Sequence, residues 1–256
     1  MRLLIAIPVH NELKYVNHVL DKVLTFHGEV LVVDDGSTDG TGDLLQNRRD
    51  IHLLRHPVNR GYGRSLIDAF AYADAHGYDW VITMDCDEQH EPEMIPHFIR
   101  QIESDQWDLI SGSRYANPRG DDDLPPGDRR MINTSITAIV NELFGWKLTD
   151  AFCGFKAHRV SAMRRLLLDE PGYAFPMQLW PQVWWHQLRL TELPVRLIYN
   201  DPTPSFGALL DDAAVRLKHY LEVLDRELHR LGERGGSSAP AQPAAQSVAA
   251  LCECME

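Results

Sequence analysis

Short runs of branched apolar residues alternate with longer amphipathic stretches through the first half of this chain, and that alternation leaves few folds open. Leu3–Val9 (LLIAIPV), Val30–Asp34 (VLVVD), 51–55, 80–84 (WVITM) and Leu109–Ser113 are apolar enough to be strands covered on both faces. Between the first two, Leu13, Val16, Leu20, Val23 and Leu24 recur at helical spacing, with Asn11 as the expected N-cap. Residues 38–47 and 64–76 read as further helices, each reached through a Gly-rich or Ser/Thr/Asp-rich turn. Repeated strand–helix–strand units predict crossovers onto a mainly parallel, Rossmann-like central sheet flanked by helices on both faces, an α/β fold.

After Ser113 the rhythm changes. Residues 117–128 combine turn formers with a run of acids and read as a mobile loop. A helix over 131–144 follows, with Ile132, Ile136, Ile139, Val140 and Leu143 on one side; 175–188 is a second apolar, Trp-rich segment. A late strand over 191–199 and an amphipathic helix over 209–231 complete one expected domain, 1–231. Residues 235–256, poor in charge and rich in Gly, Ser, Ala and Pro, read as a disordered tail. The 37 acidic residues outnumber 25 basic ones, for a net charge of −12, which excludes attachment to nucleic acid or anionic lipid by bulk charge. No apolar run reaches the ~18 residues of a membrane span and no secretory leader is present, so a cytoplasmic location is expected. Cys86 and Cys153 are isolated and Cys252 and Cys254 lie near the end; none has zinc-site spacing, and reduced thiols are expected.

Two motifs carry chemistry. Asp85-Cys86-Asp87-Glu88-Gln89 follows the apolar run WVITM, and two carboxylates two residues apart with an amide oxygen beyond them make an oxygen-rich cup suited to Mg²⁺ or Mn²⁺. Such an ion would bridge a diphosphate at the carboxyl edge of the sheet; the alternative is a solvated acidic turn. In Asp34-Asp35-Gly36-Ser37-Thr38-Asp39 the acidic pair can accept hydrogen bonds from a ribose or a base, or the segment can simply be a turn capping a helix. His10, His18 and His90 form no ligand-spaced pair and read as surface or core residues, and Tyr62 between two glycines reads as part of a turn over a nucleotide.

Taken with Pro8-Val9-His10-Asn11-Glu12 at the first strand end, these segments resemble glycosyltransferase family 2, with its GT-A fold and nucleotide-sugar donors. Asp85-x-Asp87-x-Gln89, Gly112-Ser113-Arg114-Tyr115, Arg129-Arg130 and Asp150-Ala-Phe-Cys-Gly154-Phe155 resemble the dolichyl- and polyprenyl-phosphate sugar transferases, over about residues 1–225. The resemblance implies an inverting transfer of a mannose- or glucose-type sugar from a GDP- or UDP-linked donor to a polyprenyl phosphate. It places Pro8, Asn11, Glu12, Asp34, Asp35 and Asp85 around the nucleotide, Asp85, Asp87 and Gln89 on the metal, and Arg114 with Arg129 or Arg130 around the acceptor phosphate. Asp87, Arg114, Arg130 and Asp150 are the implied catalytic set, Asp150 serving as base toward a hydroxyl acceptor or positioning a phosphate that is already anionic. Residues 1–113 would then form the donor and metal half and 114–231 the acceptor half. A structural salt bridge for Arg114, a solvated helix start for Arg129 and Arg130, and a buried capping role for Asp150 are the alternatives.

Two departures stand out. Relatives often carry a further basic residue soon after the late strand, where this chain has 199–207 without one, leaving Arg196 as a substitute already placed within a strand. Many lipid-linked relatives also carry transmembrane helices, so this chain is expected to reach a membrane peripherally or through a partner. The 131–146 face and Trp180, Trp184 and Trp185 are candidate interfacial surfaces, against ordinary core packing. A soluble hydroxyl acceptor and a non-catalytic nucleotide-sugar-binding subunit are the competing functions. A nucleotidyltransferase is disfavoured, because no Gly-rich phosphate loop follows the first strand.

Overall fold

The computed structural model describes residues 1–118, 122–199 and 208–234. Seven strands among them form one sheet in the order β3-β2-β1-β4-β6-β5-β7: β1 (Leu3–Val9), β2 (Val30–Asp34), β3 (His52–Arg55), β4 (Trp80–Thr83), β5 (Leu109–Ser113), β6 (Lys156–Arg159) and β7 (Leu190–Pro194). All neighbours run parallel except at β6, which lies antiparallel between β4 and β5. Alternate side chains of β1 serve opposite faces, as strand geometry requires. Leu4 and Ala6 join one apolar layer, while Ile5, Ile7 and Val9 join the other.

The first layer is covered by α3 (Tyr62–Ala75), α5 (Gly127–Phe144), α7 (Phe175–Trp185) and α8 (Ala213–Arg234), through residues such as Leu66, Ile136, Trp180 and Leu224. The second is covered by α1 (Val16–Leu24) and α4 (Ile95–Glu103), through Val16, Leu20, Ile95 and Phe98. The short α2 (Thr41–Gln46) follows β2, and α6 (Val160–Met163) follows β6. The expected α/β architecture is present, with an antiparallel strand that the sequence did not announce.

Several local expectations are corrected. Asn11 does not cap a helix: α1 starts at Val16, and Asn11 adopts a left-handed φ of 59°, its Oδ1 accepting the Thr38 N–H at 2.8 Å. The 51–55 segment is an edge strand with exposed residues rather than one covered on both faces. The helix expected at 131 begins at Gly127, and the late strand stops at Pro194. The apolar side of α5 is not an interfacial surface, because Ile132, Ile136, Ile139, Val140 and Leu143 are buried, and Trp180 is fully buried with its indole N–H donating to the Ala151 carbonyl at 3.0 Å. Residues 119–121 of the acidic loop, 200–207 after the late strand, and the 235–256 tail with Cys252 and Cys254 lie outside the described residues. No helix among the described residues is long and apolar enough to cross a membrane.

Trp180 packs where α7 meets the sheet, and the Lys156 ammonium lies 5.3 Å from the centre of its ring. Truncating such a side chain removes both transfer energy and contacts. Trp180→Ala should destabilise the protein by about 3–5 kcal/mol in a denaturant titration.

Candidate active site

The carboxyl ends of β1, β2 and β4 open into a cavity of about 940 Å³, at the sheet edge where open α/β folds bind ligands. Its lining includes Pro8, Asn11 and Glu12 beyond β1, Asp35 beyond β2, and Asp85, Asp87 and Gln89 beyond β4. It also includes Arg114, Tyr115, Arg129, Phe152, Arg216 and Tyr220. Of the residues that the sequence singled out, Asp34, Arg130 and Asp150 do not line it.

The reason differs for each. Asp34 is the last residue of β2 and is fully buried, taking the Ser37 N–H at 3.0 Å and facing Arg55 Nε at 3.0 Å. Its neighbour Asp35 turns to the cavity, and its carboxylate is fixed by the Arg60 and Gly61 N–H groups, both at 2.8 Å, and by His56 Nδ1 at 2.6 Å. The turn between them and α2 requires Gly36: at φ +69° any Cβ would lie 2.3 Å from the Val58 carbonyl carbon. His10, expected at the surface or in the core, instead joins the wall, its Nδ1 donating to the Asp35 carbonyl at 2.8 Å.

Negative charge accumulates around Asp85 and Asp87. Burial, then the neighbouring Asp87 and Asp85, raises Glu12 to about 7. Burial likewise raises Asp85, opposed by the Tyr62 hydroxyl donating to its Oδ1 at 2.9 Å, and burial together with Asp85 raises Asp87. His90 offers no compensating charge, because burial pushes it down to about 4 and its Nδ1 accepts the Asp85 N–H at 2.9 Å. Gly154 makes room for this group, since a Cβ there would lie 2.5 Å from Asp85 Oδ2. Among the described residues no three His, Cys, Asp or Glu side chains are gathered into a metal cage. The donor set nevertheless fits a hard divalent ion that takes its remaining ligands from diphosphate and water: carboxylate oxygens disfavoured by burial and by each other, with the Gln89 amide lining the same cavity.

Positive charge is held by a buried pair. Arg114, just past β5, presents Nε and Nη2 to Asp150 at 2.6 and 2.9 Å, and Asp150 also accepts the Asn133 amide at 2.7 Å and the Phe152 N–H at 3.1 Å. Burial alone would raise Asp150, but the charge and hydrogen bonds of Arg114 and the Asn133 amide outweigh it and hold the carboxyl well below its usual range. Asp150 is thus fully buried, hydrogen-bonded by several donors and off the cavity wall, where it fixes the Arg114 guanidinium. Arg130 is exposed and lies over the Tyr115 ring at 3.7 Å, while Arg129, one residue earlier on α5, faces the cavity.

Sequence reasoning missed Tyr173, which stacks on Tyr62 with ring centres 5.7 Å apart, and Arg216 and Tyr220 of α8. The signal for the latter two was present. Arg216, Tyr220, Val223, Glu227 and Leu231 share the buried stripe of α8, and a charged residue on such a stripe calls for a reason.

Residues 4–167 match the family described as Glycosyl transferase family 2. The chain belongs to this family. Undecaprenyl-phosphate mannosyltransferase of Micrococcus luteus is 29% identical over 231 residues, which cover 86% of this chain and 94% of that protein. Polyprenol monophosphomannose synthase of Mycolicibacterium smegmatis is 28% identical over 206 residues, covering 76% of each. Among solved structures, glucosyl-3-phosphoglycerate synthase from Mycobacterium tuberculosis in complex with Mn²⁺, uridine diphosphate and phosphoglyceric acid aligns with 90% of this chain and 78% of its own, at 19% identity and a TM-score of 0.66. The shared fold is GT-A.

In this family member the Arg114–Asp150 pair makes a testable contribution to stability. Breaking a buried pair on one side costs about 3–5 kcal/mol, so Asp150→Asn should lower the unfolding free energy by that amount at neutral pH. Because the folded-state carboxyl lies below its ordinary value, the contribution is complete above about pH 4 and is lost as pH falls toward the lowered value. Denaturant titrations should show a gap between wild type and Asp150→Asn that is constant from about pH 5 to 8 and shrinks on acidification below about pH 4.

Proposed function

We propose that this protein is an inverting glycosyltransferase that moves a mannose- or glucose-type sugar from a GDP- or UDP-linked donor to polyprenyl phosphate. The observation that carries the reading is one cavity lined by both a carboxylate group, Glu12, Asp85 and Asp87, and guanidiniums, Arg114 and Arg129. A nucleotide diphosphate with its cation suits the first and an anionic acceptor suits the second. The names of the mannosyltransferase and mannose synthase relatives support the choice of a lipid phosphate. Residues 1–113 would supply the donor half and 114–231 the acceptor half.

Asp85, Asp87 and Gln89 would hold a Mg²⁺ or Mn²⁺ ion, which when bound would supply positive charge toward the diphosphate of the departing nucleotide. Pro8, Asn11, Glu12 and Asp35 would frame the nucleotide. Tyr62 restrains Asp85, and Gly154 keeps the space beside it open. Asp150 fixes the guanidinium of Arg114, and Arg114 and Arg129 would bind and orient the acceptor phosphate. A phosphate oxygen then bonds to the anomeric carbon as the bond from that carbon to the diphosphate oxygen breaks on the opposite face. The attacking oxygen is already anionic, so no proton has to be removed, in keeping with the burial of Asp150 in an ion pair. The membrane would be met peripherally at its cytoplasmic face or through a partner.

Incubation with GDP- and UDP-linked hexoses, and with either a short-chain polyprenyl phosphate or the matching polyprenol, should give transfer to the phosphate alone. EDTA should abolish it, and Asp87→Ala should lower kcat at least about a hundredfold, given the several kcal/mol of charge stabilisation at stake. Efficient transfer to the alcohol or to soluble hydroxyls, with none to the phosphate, overturns the acceptor. Full activity in EDTA together with wild-type donor affinity in Asp87→Ala overturns the metal.

A further inference from the structure

Arg216 lies in the first turn of α8, far in sequence from the other cavity arginines, and its side chain is only 4% exposed. It faces the same cavity as Arg114 and Arg129, with Tyr220 one turn further along the helix. Nη2 donates to Asp128 Oδ2 at 2.6 Å and Nη1 to the Leu210 carbonyl at 2.7 Å, which fixes the plane of the guanidinium. Removing a guanidinium from water is costly, and a tie between α5 and α8 does not require it. Asp128 is 44% exposed, and an ion pair made wholly at the surface would hold the helices without that cost. What burial adds is a directed, poorly screened cation at the cavity wall. Besides Asp128 and Leu210, Nη1 also approaches the Asp211 carbonyl at 3.4 Å, and the planar guanidinium is a group that suits a tetrahedral oxyanion.

We propose that Arg216 is a direct ligand of the acceptor phosphate and, with Arg114 and Arg129, makes the site selective for a phosphomonoester over an alcohol. The inference rests on the polyprenyl-phosphate reading and assigns to α8 a share of the acceptor site. Three guanidiniums would then approach one anion from three separate elements: the end of β5, the start of α5 and the start of α8. A phosphomonoester carries close to two negative charges near neutral pH, more than a single guanidinium neutralises. An alcohol offers these guanidiniums no negative charge, so the discrimination resides in binding of the acceptor rather than of the donor.

The test uses the full chain, a hexose donor that the wild type accepts and a short-chain polyprenyl phosphate, with acceptor KM, kcat and donor affinity measured separately. Arg216→Gln should raise acceptor KM roughly ten- to a hundredfold, the worth of charge-assisted hydrogen bonds to phosphate, and leave donor affinity unchanged. Arg216→Lys, which keeps the charge but loses the planar fork, should fall between Gln and wild type. Asp128→Asn, which removes only the exposed partner, should move acceptor KM by no more than about fivefold. An unchanged acceptor KM in Arg216→Gln, or equal losses of acceptor affinity and thermal stability in Arg216→Gln and Asp128→Asn, overturns the assignment in favour of a structural tie. If Arg216→Gln does not fold, Arg216→Lys decides: a raised acceptor KM at wild-type donor affinity supports the proposal and an unchanged KM overturns it. A wild type that transfers to no phosphate acceptor overturns the acceptor reading and the Arg216 assignment together, whereas transfer with unchanged KM in the variants overturns Arg216 alone.

Discussion

Like charges held close together at the edge of a buried sheet dominate this molecule. Glu12, Asp85 and Asp87 approach one another in a partly dry cavity, where burial raises all three and neighbouring carboxylates add to the rise of Glu12 and Asp87. The fold tolerates the arrangement by restraining and partly offsetting it: the Tyr62 hydroxyl and the space left at Gly154 hold Asp85 in place, Arg114 and Lys156 oppose its rise, and His90 supports its backbone. Unlike them, Asp35 receives a full complement of donors from Arg60, Gly61 and His56. The crowding of negative charge is therefore greatest beyond β4 and beside β1, where Glu12, Asp85 and Asp87 meet.

The guanidiniums pose the converse problem. Arg114 is kept in a dry environment by Asp150, which is itself kept ionised by Arg114, Asn133 and the Phe152 N–H. Such mutual dependence makes the pair rigid, and a rigid guanidinium loses little freedom when it meets a ligand. Arg130 shows the alternative use of the same side chain, lying over Tyr115 and covering the ring that borders the cavity.

The strands β1, β2 and β5 were legible in the sequence with their observed limits, because continuous apolar runs flanked by turn formers have few other uses. β6 was not, because Lys156, His158 and Arg159 look like surface residues until tertiary partners appear: the Cys153 carbonyl for the Lys156 ammonium, and the Trp80 ring 4.7 Å from the Arg159 guanidinium. α4 was not singled out in the sequence either, although Ile95, Phe98 and Ile102 recur at helical spacing and Pro96 stands in the first turn, where a missing N–H costs nothing. Within the site, Asp85 and Asp87 were legible because they follow a buried strand. The choices between Asp34 and Asp35, and between Arg129 and Arg130, were not, since adjacent residues point in different directions and only packing reveals which one faces the cavity. The burial of Asp150 and its pairing with Arg114 were not legible, because sequence does not show how many donors converge on a carboxylate.

The antiparallel insertion of β6 bears on how the molecule is made. β4 and β5 precede it in the chain, yet until residues 156–159 arrive β4 lacks its second neighbour and β5 has none, its other neighbour β7 coming later still. A nascent chain ending before that point leaves one edge of β4 and both edges of β5 unpaired, the type of edge that recruits other chains. The strand that enters the centre of the sheet thus joins the parts that precede it from a position late in the chain, and only the edge strand β7 remains to be added.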